Sequence, residues 1–267
     1  SSNRFSHHMP REIYEEPHIV EATLCAGSKS LVKIVDEIGS ERYDLIYITG
    51  SGTSYHAGLA CQYALFNLGM PVTSLIPASE FPSWLPPHID RKALLIAVSQ
   101  SGESTDTLNA AKIGLRKGLE VLAVTNSEES SLAKMSHYVL PIRAGQERAV
   151  TATKSYVAEL AALYLLSLEL AQKRNASHDL TYLKERLFEA PRLVKEVIES
   201  SDGTMSRLAE KYGDRGFFFT LGSGPNYATA LEVALKLKEA CNVFAEGFAA
   251  REFLHGPIQL INDRTPA

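Results

Sequence analysis

The most restrictive feature of this chain is a recurring unit: a short, nearly continuous apolar run, a turn, then a helical pattern. The runs are Asp44 to Thr49 (DLIYIT), Pro71 to Ile76, Lys92 to Val98 (KALLIAV), Glu120 to Thr125 (EVLAVT) and Tyr138 to Ile142. Strands that are apolar at almost every position are covered on both faces, and strands separated by helices pair in parallel. The expected fold class is therefore α/β, a three-layer αβα sandwich around a doubly wound parallel sheet. Helical patterns follow the first run to Leu68 and cover Thr105 to Lys117, while Ser130 to Lys134 reads as a turn. Thr153 to Ala171 and Leu180 to Ser200 are long helices that close this lobe. A further strand, Gly216 to Thr220 (GFFFT), then leads into the helix Ala228 to Cys241.

Thr49-Gly-Ser-Gly-Thr-Ser-Tyr55 and Leu221-Gly-Ser-Gly-Pro-Asn-Tyr227 form an internal repeat in the same strand–turn–helix context. Too few residues follow Gly216 for a second full sheet; one strand, one helix and a loop fit. The expected organisation is a tag remnant over residues 1–8, an N-terminal helical arm over 9–41, a first domain over 42–200, and over 201–267 the beginning of a second domain, cut short.

Composition removes several function classes. The net charge is −4 and no Lys/Arg cluster stands out, which argues against nucleic acid as a partner. Cys25, Cys61 and Cys241 are scattered and form no CxxC pair, so neither a metal site nor a disulfide framework is expected, and the location is cytoplasmic. The apolar stretch from Leu160 to Leu168 is about half a membrane span and is bracketed by Glu159 and Glu169, so it is a buried helix and no membrane is implied. Nothing calls for an organic cofactor.

Open α/β sheets bind ligands beyond the carboxyl ends of their strands. Two hydroxyl-rich turns fall there: Gly50-Ser51-Gly52-Thr53-Ser54 and Ser99-Gln100-Ser101-Gly102-Glu103-Ser104. Glycine lets the backbone approach an anion, a following helix supplies N–H groups, and short hydroxyls donate to phosphate. Helix capping is the ordinary use of such residues, but two turns at neighbouring strand ends favour a phosphate site. There is no GxxxxGK[ST], and Tyr55 stands where a dinucleotide fingerprint needs glycine. Farther on, Glu232, Lys236 and Glu239 share one helix face, either a solvated ion-paired stripe or a base held beside a cation. A loop then carries Glu246, Glu252 and His255.

The segments Ser99 to Ser104, Thr151-Ala152-Thr153-Lys154, Ala234 to Glu239 and His255-Gly256-Pro257 resemble the SIS (sugar isomerase) family. More narrowly they are similar to the isomerase half of glutamine–fructose-6-phosphate aminotransferases and to stand-alone glucosamine-6-phosphate deaminases. Pro10 to Pro17 resembles the start of that half, and the likeness runs from Met9 to Ala267. It implies a flavodoxin-like SIS fold and an enzyme interconverting fructose 6-phosphate and glucosamine 6-phosphate. The resemblance assigns Gly52, Thr53, Ser54, Ser99, Gln100, Ser101, Ser104, Val150 and Ala152 to the sugar phosphate, with Glu239 as base, Lys236 beside it and His255 assisting ring opening. His255 would reach a neighbouring subunit's site, which implies a homodimer with a shared active site.

Several positions depart from the pattern. Ser51 stands for a frequent Cys, Ala152 for Ser and Ser104 for Thr. The imine-forming Lys would lie beyond Ala267. No glutaminase segment is included, so the ammonia donor or glutaminase partner is unspecified. The alternative from another class is a non-catalytic sugar-phosphate sensor. Such a sensor would usually carry a basic helix-turn-helix, and it has no use for the Glu232/Lys236/Glu239 face.

Overall fold

The computed structural model describes residues 7–40, 43–175 and 179–262. Most of the 1–8 segment read as a tag remnant lies outside the described residues, as do the last residues of the 201–267 segment. Helix α1 (His8–Ser40) forms the N-terminal arm. Strands β1 (Leu45–Gly50), β2 (Val72–Pro77), β3 (Ala93–Val98), β4 (Glu120–Thr125) and β5 (Tyr138–Pro141) make one parallel sheet in the order β2-β1-β3-β4-β5.

The crossovers are α2 (Thr53–Asn67), the short α3 (Phe81–Trp84), α4 (Thr105–Arg116) and the short α5 (Ser131–Met135). Every residue of β3 is buried. Its side chains divide with the pleat. Leu94, Ile96 and Val98 join Ile46 and Ile48 of β1 beneath α1, α2 and α6 (Lys154–Arg174). Leu95 and Ala97 join Tyr47, Phe81, Ala110 and Ala111 on the opposite face. Each buried Leu or Ile contributes roughly 1.5–3 kcal/mol. A strand feeding two cores has no room for a polar face, which is why these runs do not alternate. The α/β expectation of a doubly wound parallel sheet is met.

Two local readings are corrected. Ser130–Lys134 is not a plain turn: Ser130 Oγ accepts the Ala133 N–H at 3.2 Å and starts α5. The segment holding Glu246 is not a loop but strand β7 (Phe244–Ala249), parallel to β6 (Phe217–Gly222). Helix α7 (Thr181–Tyr212) also runs through Ser200 and across the expected boundary there. It packs along α1, and Tyr14 donates to Asp202 at 3.3 Å, a contact between elements that local Ser and Gly content does not reveal.

The repeat has matching geometry in its two copies. Between β1 and α2, Gly52 lies at φ 54° and Ser54 N–H donates to the Ser51 carbonyl at 3.2 Å. Between β6 and α8 (Asn226–Cys241), Gly224 lies at φ 57° and Asn226 N–H donates to the Ser223 carbonyl at 3.2 Å. In each copy the residue after the second strand bonds back to the first strand's last glycine: Ala78 to Gly50 at 3.0 Å and Ala250 to Gly222 at 2.9 Å.

Candidate active site

The strand order places β1 and β3 side by side, with α2 leaving toward one face and α4 toward the other. A crevice opens at such a reversal, outside the carboxyl ends of the strands. Both hydroxyl-rich turns stand at it. In the turn after β3, buried Ser99 accepts the Gly102 N–H at 3.1 Å, and exposed Ser101 accepts the Glu103 N–H at 3.1 Å. Accepting from the backbone leaves both hydroxyl protons for a ligand. Gln100 has its carbonyl fixed by the Asn126 N–H at 3.0 Å. Glu103 accepts the Ser131 N–H at 2.7 Å and ties the turn to α5. Ser104 is the N-cap residue of α4, yet its side chain makes no capping bond. Capping therefore explains Ser130 and does not explain Ser104.

The turn after β1 meets α8. Thr53 Oγ1 donates to Glu232 Oε1 at 2.9 Å and accepts from Lys236 Nζ at 3.1 Å. Lys236 Nζ also pairs with Glu232 Oε1 at 3.1 Å and with Glu239 Oε2 at 2.8 Å. His56 Nδ1 lies 2.7 Å from Glu232 Oε2. Gly52 faces the same helix, with Leu235 within reach of a Cβ at 3.9 Å. The Glu232/Lys236/Glu239 face is thus not a solvated stripe: Glu232 is buried, and Lys236 joins it to the more open Glu239. Burial pushes the Glu232 carboxyl up, but the His56 bond, the Lys236 charge and Thr53 outweigh it and hold the group below its usual range.

At the next residue of α2, Ser54 Oγ donates to Glu159 Oε1 of α6 at 2.8 Å. Glu159 is 1% exposed, and its Oε2 has no partner among the described residues. Burial raises this carboxyl to about 8 against the Ser54 bond, with Glu232 and Glu147 adding to the rise. Two carboxyls on helices that both pack against α2 are therefore driven in opposite directions, Glu232 toward the charged form and Glu159 toward the neutral one.

Val150 and Ala152 lie on the loop from β5 to α6. Glu147 organises that loop by accepting from Thr153 N at 2.9 Å and Ser155 Oγ at 2.6 Å. Buried Glu12 of α1 accepts the N–H groups of Arg148 at 2.6 Å and Ala149 at 3.2 Å. Val150 is 95% exposed. His255 follows the 3-10 turn Glu252–Leu254 and is exposed, with its amide on the Glu252 carbonyl at 3.0 Å. Among the described residues it makes no side-chain bond to the α2–α8 cluster. The structure thus joins Thr53, Lys236 and Glu239 directly and leaves His255 and Val150 apart from them.

Sequence reasoning did not assign His56, Glu147 or Glu159 to the site. Glu159 had a signal, a carboxyl next to an apolar helical run. His56, far from Glu232 in sequence, had none. Among the described residues, no group of three or more His, Cys, Asp or Glu side chains could hold a metal ion, and no helix is long and apolar enough to cross a membrane.

Comparisons with known proteins place the fold and the family. The SIS domain profile matches residues 42–168. A glutamine–fructose-6-phosphate aminotransferase (isomerizing) of Thermococcus kodakarensis is 39% identical over 98% of this chain, which spans 43% of that relative. The chain therefore covers less than half the length of such curated relatives. The solved C-terminal domain of glucosamine-fructose-6-phosphate aminotransferase from Francisella tularensis superposes with a TM-score of 0.86 at 28% identity, covering 100% of this chain and 76% of that one. A Silicibacter pomeroyi protein provisionally assigned as a phosphosugar isomerase superposes with a TM-score of 0.80 at 30% identity, covering 95% of this chain and 74% of that one.

Proposed function

Because this chain belongs to the SIS domain family, we propose that it binds a hexose 6-phosphate at the β1/β3 edge and serves in an enzyme that interconverts fructose 6-phosphate and glucosamine 6-phosphate. Ser99, Gln100, Ser101 and Ser104 hold the phosphate together with the first N–H groups of α4. Gly52, Thr53 and Ser54 hold the sugar, with Val150 and Ala152 closing over it from the β5–α6 loop. The observation that carries this reading is Lys236, 3.1 Å from Thr53 Oγ1 and 2.8 Å from Glu239 Oε2, which puts a cation and a carboxylate together beside the hydroxyl-lined turn.

The chemistry follows from that pair. Ammonia condenses with the C2 carbonyl of the open-chain ketose, and water leaves. Glu239 takes a proton from C1 of the protonated imine, the electron pair forms the C1–C2 double bond, and the former C2–nitrogen double-bond pair settles on nitrogen. Lys236 stabilises the charge that develops on O1 as its proton then leaves. Return of the proton to C2, with loss of the O1 proton, gives the 2-amino aldose. Run backwards, the same steps deaminate. His255 assists ring opening in the site of a second copy, so the working form is a homodimer. Residues 42–200 and 201–267 then belong to successive SIS units, with β6–α8–β7 beginning the second. The ammonia donor is a separate segment or partner, nucleic acid is not a ligand, and the protein works in the cytoplasm.

The test is a thermal-shift titration with fructose 6-phosphate, glucosamine 6-phosphate and unphosphorylated fructose. A ligand that binds only the native state raises the melting temperature with concentration. Stabilisation by the two phosphates alone supports the site; equal response to fructose, or none, sinks it. Conversion of fructose 6-phosphate with added ammonia then separates an enzyme from a sensor.

A further inference from the structure

Glu159 has no place in the chemistry above, although it is the most deeply buried carboxyl beside the site. It sits on α6 with its Oε1 2.8 Å from Ser54 Oγ and its Oε2 without a partner among the described residues. An ionised carboxylate has two strongly accepting oxygens, and leaving one dry and unpaired is very costly. The carbonyl oxygen of a neutral acid loses far less in the same place. The geometry is that of a carboxylic acid, and burial, which raises this group to about 8, acts in the same direction.

We propose that Glu159 is a positioning residue that, as the neutral acid, donates to Ser54 Oγ and so frees the Ser54 hydroxyl proton for an anionic or hydroxyl oxygen of the bound sugar phosphate. The inference rests on the hexose-phosphate reading of the site. Serine has a single hydroxyl proton. When Glu159 is ionised, that proton is committed to the carboxylate, and Ser54 presents only lone pairs to the ligand. When Glu159 is protonated, the bond between them reverses, and Ser54 becomes a donor.

The surroundings bias Glu159 toward the neutral form. Glu232 of α8 and Glu147 of the β5–α6 loop both oppose a charge there, with Glu147 itself close to Glu16 of α1. The nearby cations are otherwise engaged: Lys236 of α8 with Glu232 and Glu239, and Lys154 of α6 with Glu15 at 2.8 Å. On α2, His56 is turned to Glu232, and on α6 Tyr156 is held protonated by burial and by Glu232. No described cation is paired to Glu159.

The experiment measures fructose 6-phosphate affinity by calorimetry between pH 7 and 9.5 for the wild type, Glu159→Gln and Ser54→Ala. The ligand's own second ionisation, near pH 6, is complete in this window. For the wild type, affinity falls about 30-fold by pH 9.5 as the neutral fraction shrinks. Glu159→Gln, whose amide always donates, keeps the neutral-pH affinity within about threefold and loses the pH step. Ser54→Ala binds more weakly throughout and shows no step. A flat wild-type profile overturns the proposal, as does an unchanged step in Glu159→Gln. Because the wild-type profile needs no variant, poor folding of either variant does not rescue the idea. A wild type that binds at no pH sinks the hexose-phosphate reading instead, and this inference with it.

Discussion

Gly102 holds φ 66°, and a Cβ built there would fall against the Ser130 hydroxyl and within 2.9 Å of Thr125 Oγ1. Ser99 and Ser101 are shaped by the turn this residue allows, since each accepts an N–H from within it. Gly102→Ala must bear the left-handed backbone cost of about 1–2 kcal/mol and overpacking of about 1–3 kcal/mol. We expect a loss of roughly 3 kcal/mol in urea unfolding, together with weaker fructose 6-phosphate binding. Gly118 is the internal control, at φ 79° with nothing within 4 Å of a Cβ. Gly118→Ala should cost only about 1 kcal/mol and leave binding unchanged. Equal losses in the two variants would show that the crowding at Ser130 has no consequence. At this scale the places of the two hydroxyl-rich turns were legible, because glycine and short hydroxyls directly after an apolar run mark a turn at the strand's carboxyl end. The state of the carboxyls was not. Glu232 and Glu159 look alike in sequence, and only the His56 and Lys236 contacts to one, and the empty side of the other, set them apart.

Helix α1 was legible as a helical arm, but its task was not, because its partners lie on a distant loop. Glu12 gives its carboxylate to the N–H groups of Arg148 and Ala149, and Glu15 pairs with buried Lys154 at the start of α6. The arm thereby pins the loop that carries Val150 and Ala152. Hydrogen bonds to a buried charge contribute about 1.5–3 kcal/mol, so Glu12→Ala should speed amide exchange at Arg148 and Ala149 by about 10–100-fold. Exchange within β3 should stay unchanged, and an unaltered rate at the two amides would show that α1 merely packs there. Strand β7 marks the opposite limit of sequence reading. Its FAEGFA pattern carries Gly247, poor in strand propensity, which hid it as a loop. The glycine is needed because a Cβ there would come within 2.9 Å of the Ala230 backbone on α8. The inner strands β1, β3 and β4 were plain for the converse reason: residues buried on two faces are mostly apolar, whereas the edge strand β2 is largely exposed or half-buried.

Across the whole molecule, two groups of carboxyls set opposing pH dependences. Glu232, Glu103 and Glu120 are held below the usual range, so the stability they contribute is present above the unfolded value and is lost as pH falls through their folded pKa. Glu16, at about 7, and Glu159, at about 8, are raised by burial. For a raised carboxyl the folded state keeps a proton that the unfolded state has already released. Stability then declines from the unfolded value near 4.5 up to the folded one, and the loss is complete above it. The two sets together place the stability maximum near pH 5, with a falling slope toward pH 8. Glu16 and Glu159 each lower stability by up to about 1.4 kcal/mol per pH unit within their windows. Glu159→Gln replaces the neutral acid with a neutral amide, so its melting temperature should match the wild type at about pH 4 and exceed it increasingly as pH rises toward about 8.5. Glu16→Gln should flatten only the part of the slope below about pH 7. Melting curves that stay parallel at every pH would mean that Glu159 gives up its proton as readily folded as unfolded. In that case burial on α6 would impose no cost on the carboxylate, and the donor role for Glu159 at Ser54 would lose its physical basis.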